Sequence, residues 1–126
     1  MPLVKIELPE GRNKETLLRL QNIVLDSVVR ALALPEDDRN IRLIEYEREF
    51  FSMKKPYEIL IEISLFKGRT FSTKKLLYQT ITDYLQELGI RKEQVFILLN
   101  EQPLENWGVR SGVPASEINL DFETER

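Results

Sequence analysis

An internal repeat limits the folds that this chain can adopt. The segment LVKIELPEGRN at residues 3–13 aligns with LIEISLFKGRT at residues 60–70, an offset of 57 residues. Five of the eleven aligned positions are identical, and they include Gly11-Arg12 and Gly68-Arg69. The same offset pairs apolar residues in the following segment, and an offset of 56 continues the match into a third segment. The chain is therefore interpreted as one structural unit that occurs twice.

Hydrophobic periodicity assigns a strand, a helix and a second strand to each unit. Alternating or continuous apolar residues predict strands at 4–8, 41–47, 57–63 and 95–100. Apolar residues at intervals of three or four predict helices over 17–31 and 77–88. Asn13 is predicted to cap the first helix, and Ser72 or Thr73 the second.

A strand-helix-strand order predicts that the two strands of each unit pair in parallel through a right-handed crossover. Two such units predict an α+β fold, in which a four-stranded mixed sheet carries both helices on one face. We expect a single domain over residues 1–126, with repeats at about 2–47 and 57–101 and a C-terminal extension at 102–126. The tail at 118–126 is predicted to be an edge strand or a subunit contact.

The face of the sheet without helices is predicted to be partly apolar. Leu60, Phe66, Phe96 and Leu98 are the candidates for this outer face. Large apolar patches seldom stay exposed to water, so the pattern predicts a homo-oligomer.

Composition excludes several classes of protein. The chain has no cysteine and no histidine, which removes disulfides, thiolate chemistry, Ser-His-Asp triads and the usual zinc sites. The net charge is −3 without a basic block, so nucleic-acid binding is not expected. No apolar run reaches the roughly 20 residues of a membrane span, and no signal peptide is recognisable. We expect a soluble, cytoplasmic protein that uses no metal and no cofactor and does not bind a membrane.

Proline at position 2 is the leading candidate for acid-base chemistry. A small second residue usually permits removal of Met1, which would expose Pro2 as a secondary amine. An unperturbed α-amino group has a pKa of about 7.7–8.0, so a small shift places it near neutrality. The other candidates for proton transfer are carboxylates, lysines and tyrosines.

Each repeat ends its first strand with Gly-Arg just before a helix. Glycine permits a sharp turn, the helix N-terminus attracts an anion, and the planar guanidinium suits a carboxylate. The corner at Arg69 is therefore a candidate site for a small-molecule carboxylate, although a surface arginine after a turn remains the alternative.

These features together resemble the tautomerase superfamily, whose members use an N-terminal proline as catalyst. The stretch MPLVKIELPEGR, the segment LPEDDR and the segment WGVRSG resemble in particular its fused members, the malonate semialdehyde decarboxylase-like group. The resemblance implies a homotrimer of duplicated β-α-β units, with Pro2 at the floor of a small apolar pocket.

The resemblance also implies roles for individual residues. Its catalytic aspartate falls on Asp38, with Asp37 as a near alternative. Two arginines of the decarboxylase fall on Lys67 and Arg69, so the chain departs from that pattern at Lys67. Arg69 is expected to be catalytic and, with Lys67, to bind substrate. Trp107 matches a tryptophan of the pocket wall; alternatively it is a large buried side chain that anchors the C-terminal segment.

Three functions remain open at this point. The favoured hypothesis is an isomerase, a keto-enol tautomerase for a small 2-oxo acid, because Lys67 stands where the resemblance to the decarboxylase implies an arginine. A lyase that decarboxylates or hydrates, with a 3-oxo acid such as malonate semialdehyde as substrate, is the second. A non-catalytic binding module is the third. The protonation state of Pro2 distinguishes the first two, since Asp38 favours the cation whereas Lys67 and Arg69 favour the neutral amine.

Overall fold

The computed structural model describes residues 2–118. The first unit consists of β1 (Leu3–Pro9), α1 (Lys14–Leu32) and β2 (Ile41–Tyr46). The second consists of β3 (Ile59–Phe66), α2 (Phe71–Leu85) and β4 (Val95–Gln102). A short ribbon follows, formed by β5 (Gly108–Val109) and β6 (Val113–Pro114). The prediction for the tail concerns residues that, apart from Ile118, lie outside the described part of the chain.

The four long strands form one mixed sheet in the order β2-β1-β3-β4. The pairs β1-β2 and β3-β4 are parallel, as the crossover argument predicts, whereas β1 and β3 pair antiparallel. The predicted α+β architecture is confirmed. The antiparallel junction has a consequence for function, because it places the start of β1 beside the end of β3.

One apolar core fills the space between the sheet and both helices. Alternate residues of β1 and β3 point into it and are almost fully buried. The helices contribute residues at the predicted spacing: Leu20, Val24 and Val28 from α1, and Leu77, Ile81 and Leu85 from α2. Burying each large aliphatic side chain contributes roughly 1.5–3 kcal/mol, so this core accounts for the position of both helices on one face.

The two units match in detail at their Gly-Arg corners. Gly11 and Gly68 have φ angles of 135° and 129°, a region that favours glycine. The residue before each glycine anchors the turn in the same way: the Glu10 amide donates to the Tyr46 carbonyl at 2.8 Å, and the Lys67 amide donates to the Gln102 carbonyl at 2.9 Å. The repeat found in the sequence is therefore a repeat of backbone geometry.

The helix caps follow the repeat more closely than predicted. Asn13 is the N-cap of α1, and its side chain accepts from the Thr16 amide at 2.8 Å, which confirms the prediction. The prediction for α2 is wrong, because Thr70 is the N-cap and its hydroxyl accepts from the Thr73 amide at 3.2 Å. Ser72 already lies inside the helix. Thr70 is the position that the 57-residue offset pairs with Asn13.

The outer face of the sheet is only partly as predicted. Phe96 and Leu98 are 40% and 44% exposed, and Ile44 joins them at 39%. Phe66 was expected there as well, but it is buried because the C-terminal segment covers it with Trp107. Within residues 2–118, no helix has the length and apolar character that crossing a membrane requires.

Candidate active site

Pro2 lies buried immediately before β1, at one end of the sheet. Its neighbour Leu3 is paired with Ser64 near the end of β3. Because the two strands run antiparallel, the corner that follows β3 lies at the same end as Pro2. That corner carries Lys67 and Arg69. The sheet topology thus brings the proline and the two cations to one end of the molecule.

Asn40 connects Pro2 to Asp38. Its Nδ2 atom donates to the Pro2 carbonyl at 3.3 Å and to Oδ1 of Asp38 at 3.2 Å. Its own carbonyl accepts from the Val4 amide at 2.9 Å, which fixes the start of β1 against the segment before β2. The Asp38 carboxylate is therefore held beside the first residues of β1. Sequence reasoning missed Asn40; its position two residues after Asp38 and directly before a strand is the only signal that could have pointed to it.

The structure distinguishes the two candidate aspartates. Asp38 is partly buried and makes the contact with Asn40, and its amide donates to the Pro35 carbonyl at 3.0 Å. Asp37 is exposed. Asp38 is therefore the carboxylate with a structural connection to Pro2.

Arg39 follows Asp38 but faces α1. Its guanidinium contacts the carboxylates of Asp26 at 2.7 Å and Glu36 at 3.0 Å. These hydrogen bonds, first that to Asp26 and then that to Glu36, raise the pKa of Arg39 above its ordinary value. Arg39 thus connects the segment before β2 to α1 through its contact with Asp26.

The two cations of the β3 corner differ in exposure. Lys67 is exposed, whereas Arg69 is only 6% exposed. Gly68 separates them and makes the sharp turn into α2. A buried guanidinium can form strong, geometrically defined hydrogen bonds to a carboxylate, while an exposed ammonium adds a flexible point charge. The pair can therefore attract an acid and orient it.

Trp107 forms an apolar wall at the same end. Its ring meets Phe66 edge-on, with ring centroids 4.9 Å apart, and both residues pack against Ala115. Leu3, the residue after Pro2, also packs on this cluster. The indole Nε1 donates to the Gln102 carbonyl at 3.3 Å, which sets the orientation of the ring. Trp107 therefore lines the Pro2 end and anchors the C-terminal segment as well.

The first Gly-Arg corner lies at the opposite end of the sheet. There Arg12 contacts the Glu58 carboxylate at 3.6 Å. Tyr46 lies at the same end, paired with Pro9, and its hydroxyl donates to the Glu7 carboxylate. This hydrogen bond is the main reason that the pKa of Tyr46 is raised above its ordinary value. Tyr46 therefore does not take part in proton transfer at the Pro2 end.

Comparisons with known proteins identify the family of the chain. Residues 55–110 match a family described as tautomerase enzymes. The probable tautomerase YusQ of Bacillus subtilis (strain 168) is 35% identical over 121 residues, which cover 89% of this chain and 95% of that protein.

Two solved structures illustrate the similarity of fold. A malonate semialdehyde decarboxylase inhibited by 3-bromopropiolate has 25% identity and a TM-score of 0.79, over 94% of this chain and 98% of that one. A fused 4-OT symmetric trimer has 22% identity and a TM-score of 0.81, over 90% of this chain and 96% of that one. Together with the relative in Bacillus subtilis, these similarities show that the chain is an enzyme of the tautomerase superfamily.

Proposed function

We propose that this enzyme is a cofactor-independent keto-enol tautomerase for a small 2-oxo carboxylic acid. In this proposal removal of Met1 leaves Pro2 as a secondary amine that transfers the proton. The observation that carries the proposal is the buried position of Pro2 at the end of the sheet where the buried guanidinium of Arg69 and the exposed ammonium of Lys67 lie, because these cations favour the neutral amine. A neutral amine that transfers the proton and a cation that holds the substrate carboxylate are the groups that the proposed reaction uses.

The proposed reaction is a proton relay on one substrate. The neutral Pro2 amine removes a proton from the enol oxygen or from the carbon next to the keto group, and the cation then returns a proton to the other position. No atom is gained or lost overall, so no external reactant is needed. A positioned base of suitable pKa contributes typically 10²–10⁴-fold to such a step.

Arg69 is proposed to hold the substrate carboxylate and to stabilise the developing enolate. Its burial supports this role, because an ionic hydrogen bond is stronger where water is excluded. Lys67, exposed on the same turn, is proposed to assist in binding. The apolar wall of Trp107 and Phe66 would exclude water from the other side.

We also propose that the enzyme is a homotrimer. The exposed apolar side chains of Ile44, Phe96 and Leu98 support this, because the outer face of the sheet would otherwise expose them to water. The similar fused 4-OT structure is a symmetric trimer. Sedimentation equilibrium would measure the mass, and a monomer would contradict the proposal.

Decarboxylation or hydration of a 3-oxo acid is the second candidate. Similarity to malonate semialdehyde decarboxylase favours it, and so does the Asp38 carboxylate connected to Pro2 through Asn40, because a nearby negative charge favours the protonated amine. It would use the protonated amine, or an iminium formed after deprotonation, rather than the neutral base. Lys67 argues against it, because the resemblance implies an arginine at this position and a lysine lacks the bidentate fork of the guanidinium.

A direct comparison of substrates tests the proposal. Turnover of phenylpyruvate enol and of malonate semialdehyde would be measured across pH with one preparation, after intact mass has confirmed that Met1 is absent. We expect the enol to be the better substrate and Pro2→Ala to lower its turnover roughly ten- to a thousand-fold. Retained Met1, or unchanged turnover in Pro2→Ala, would contradict the role of Pro2.

The role of Arg69 has its own matched variants. Arg69→Ala should raise KM and lower kcat for a carboxylate substrate, whereas Arg69→Lys, which keeps the charge, should recover part of the loss. Arg19→Ala removes the same charge from an exposed position on α1 and should change neither constant. Equal effects of Arg69→Ala on a charged substrate and on its uncharged ester would contradict a role in carboxylate binding.

A further inference from the structure

A cavity lies at the end of the sheet opposite Pro2. Its volume is about 460 Å³, within the usual range of small-molecule sites. Its wall includes Pro9, the last residue of β1, and the segment that leads into β3. Strands rise about 3.4 Å per residue, so Pro9 is roughly 20 Å from Leu3 along β1. This cavity, called the first-repeat pocket below, is therefore separate from the Pro2 end.

The repeat identifies the first-repeat pocket as the counterpart of the candidate active site. The offset of 57 residues pairs Pro9 with Phe66, and the offset of 56 pairs Phe51 with Trp107. Pro9 and Phe51 line the pocket, as Phe66 and Trp107 form the wall at the other end. The first-repeat pocket thus occupies the position in the first unit that the Phe66 and Trp107 cluster occupies in the second.

The charges that line the first-repeat pocket are mainly positive, although the whole chain has a net charge of −3. Arg48, Lys55 and Arg91 line it together with one carboxylate, that of Glu58. Among the described residues, none of the three cations forms an ion pair. All three side chains are exposed, so a ligand in the pocket can reach them.

The carboxylate in the wall is already engaged. Glu58 accepts from Nε2 of Gln94 at 3.0 Å and contacts Arg12 at 3.6 Å. Arg12 thus offsets the charge of Glu58, and an anion entering the pocket would meet three cations that are free to interact with it. Electrostatic attraction to these three cations favours a carboxylate ligand in the pocket over a neutral one.

Two aromatic rings provide an apolar surface in the same pocket. Phe51 is packed on Tyr46, with ring centroids 5.5 Å apart, and Tyr57 is packed on Phe96 at 5.1 Å. Each ring thus contacts a second ring, which limits the rotamers that it can adopt. Cations next to flat apolar surfaces suit a carboxylate attached to a planar apolar group.

The first-repeat pocket lacks the groups for proton transfer. The offset of 57 residues pairs Pro2 with Ile59, whose nitrogen is a peptide amide rather than an amine. The offset of 56 pairs Asp38 with Gln94, a neutral side chain. We propose that the first-repeat pocket is a second binding site, which holds a small carboxylate with a planar apolar group and does not convert it.

Phenylacetate is a suitable probe, because it has the carboxylate and the ring but no keto group. Calorimetry on the whole assembled protein would count all bound phenylacetate. Trp107 is the only tryptophan and lies at the Pro2 end, so its fluorescence would report that end separately. We expect calorimetry to detect one more site per chain than fluorescence does. Equal counts, or no binding, would overturn the proposal.

Variants assign the additional site to the first-repeat pocket. Arg48→Gln combined with Arg91→Gln should weaken phenylacetate binding at the first-repeat pocket at least about tenfold and leave the fluorescence titration of Trp107 unchanged. Lys55→Gln should weaken phenylacetate binding at this pocket about threefold. Lys75→Gln is the control, because it makes the same change at an exposed position on α2, and it should have no effect. If the double variant unfolds, the comparison of the two lysine variants tests whether the additional site is the first-repeat pocket. Equal binding by Lys55→Gln and Lys75→Gln would then overturn the proposal.

Discussion

The charge of Asp38 should control how strongly the Pro2 amine binds a proton. Asp38→Asn removes that charge but keeps an oxygen that can accept from Asn40. The two contacts of Asn40 Nδ2, at 3.3 and 3.2 Å, place the Asp38 oxygen within about 6.5 Å of the Pro2 carbonyl oxygen. The amine nitrogen lies about 3–4 Å from that carbonyl oxygen by backbone geometry, and therefore within roughly 10 Å of the carboxylate, where one charge at an effective dielectric of about 20 contributes at least about 1.7 kcal/mol.

Solvent screening lowers that value, because Asp38 is only partly buried. About 1.4 kcal/mol is a reasonable expectation, which corresponds to roughly tenfold weaker proton binding. Asp38→Asn should therefore lower the pKa of the Pro2 amine.

The amine can be followed by NMR in protein labelled with ¹⁵N-proline, with Pro2→Ala identifying its signal. A pH-rate profile should move in the same direction. Asp37→Asn is the matched control, because it removes the same charge from an exposed neighbour. The reasoning is refuted if Asp38→Asn leaves the titration unchanged, or if Asp37→Asn changes it as much.

Three further predictions concern stability. Trp107→Ala should lower the free energy of unfolding by roughly 3–5 kcal/mol in chemical denaturation, because it empties a buried cluster, and a loss under about 1 kcal/mol would contradict this packing. Gly11→Ala should lower the free energy of unfolding by about 1–2 kcal/mol, because the φ angle of 135° is unfavourable for alanine. Gly108→Ala is the control, because an added Cβ there meets nothing within 4 Å, and it should lower the free energy of unfolding by less than about 0.5 kcal/mol. The hydrogen bond of Tyr46 to Glu7 raises the pKa of the phenol, so its contribution to stability is complete below about pH 10 and is lost as pH rises further. Thermal melts should therefore show a steeper alkaline loss in the wild type than in Tyr46→Phe, and equal slopes would contradict it.

Much of the fold could be predicted because the information is local and occurs twice. The alternation along β1 and the helical spacing along α1 each identify an element. The repeat supports each assignment independently, because the same pattern occurs in β3 and α2. The error at the cap of α2 has a physical reason. Thr70, Ser72 and Thr73 can all accept from a backbone amide, so residue type alone does not distinguish them. The offset from Asn13 would have selected Thr70.

The candidate site was less predictable because it depends on contacts between distant segments. Strand alternation placed Phe66 on the outer face, but it does not show that Trp107, far along the chain, covers that position. The bridge formed by Asn40 likewise depends on the parallel pairing of β1 and β2. Asp38 came from a resemblance and Arg69 first from the repeated Gly-Arg corner, and the structure adds the sheet topology that brings both to one end of the sheet.

The antiparallel junction of β1 and β3 also determines the stoichiometry of the molecule. The two halves place equivalent Gly-Arg corners at opposite ends of the sheet, but a continuous chain has only one amino terminus. Joining the halves therefore leaves one terminal amine for every two corners. An assembly of separate half-length chains would have one terminal amine for each corner. Duplication within a single chain thus halves the number of terminal amines, and the amino acids around the first corner can change while those around the second are kept.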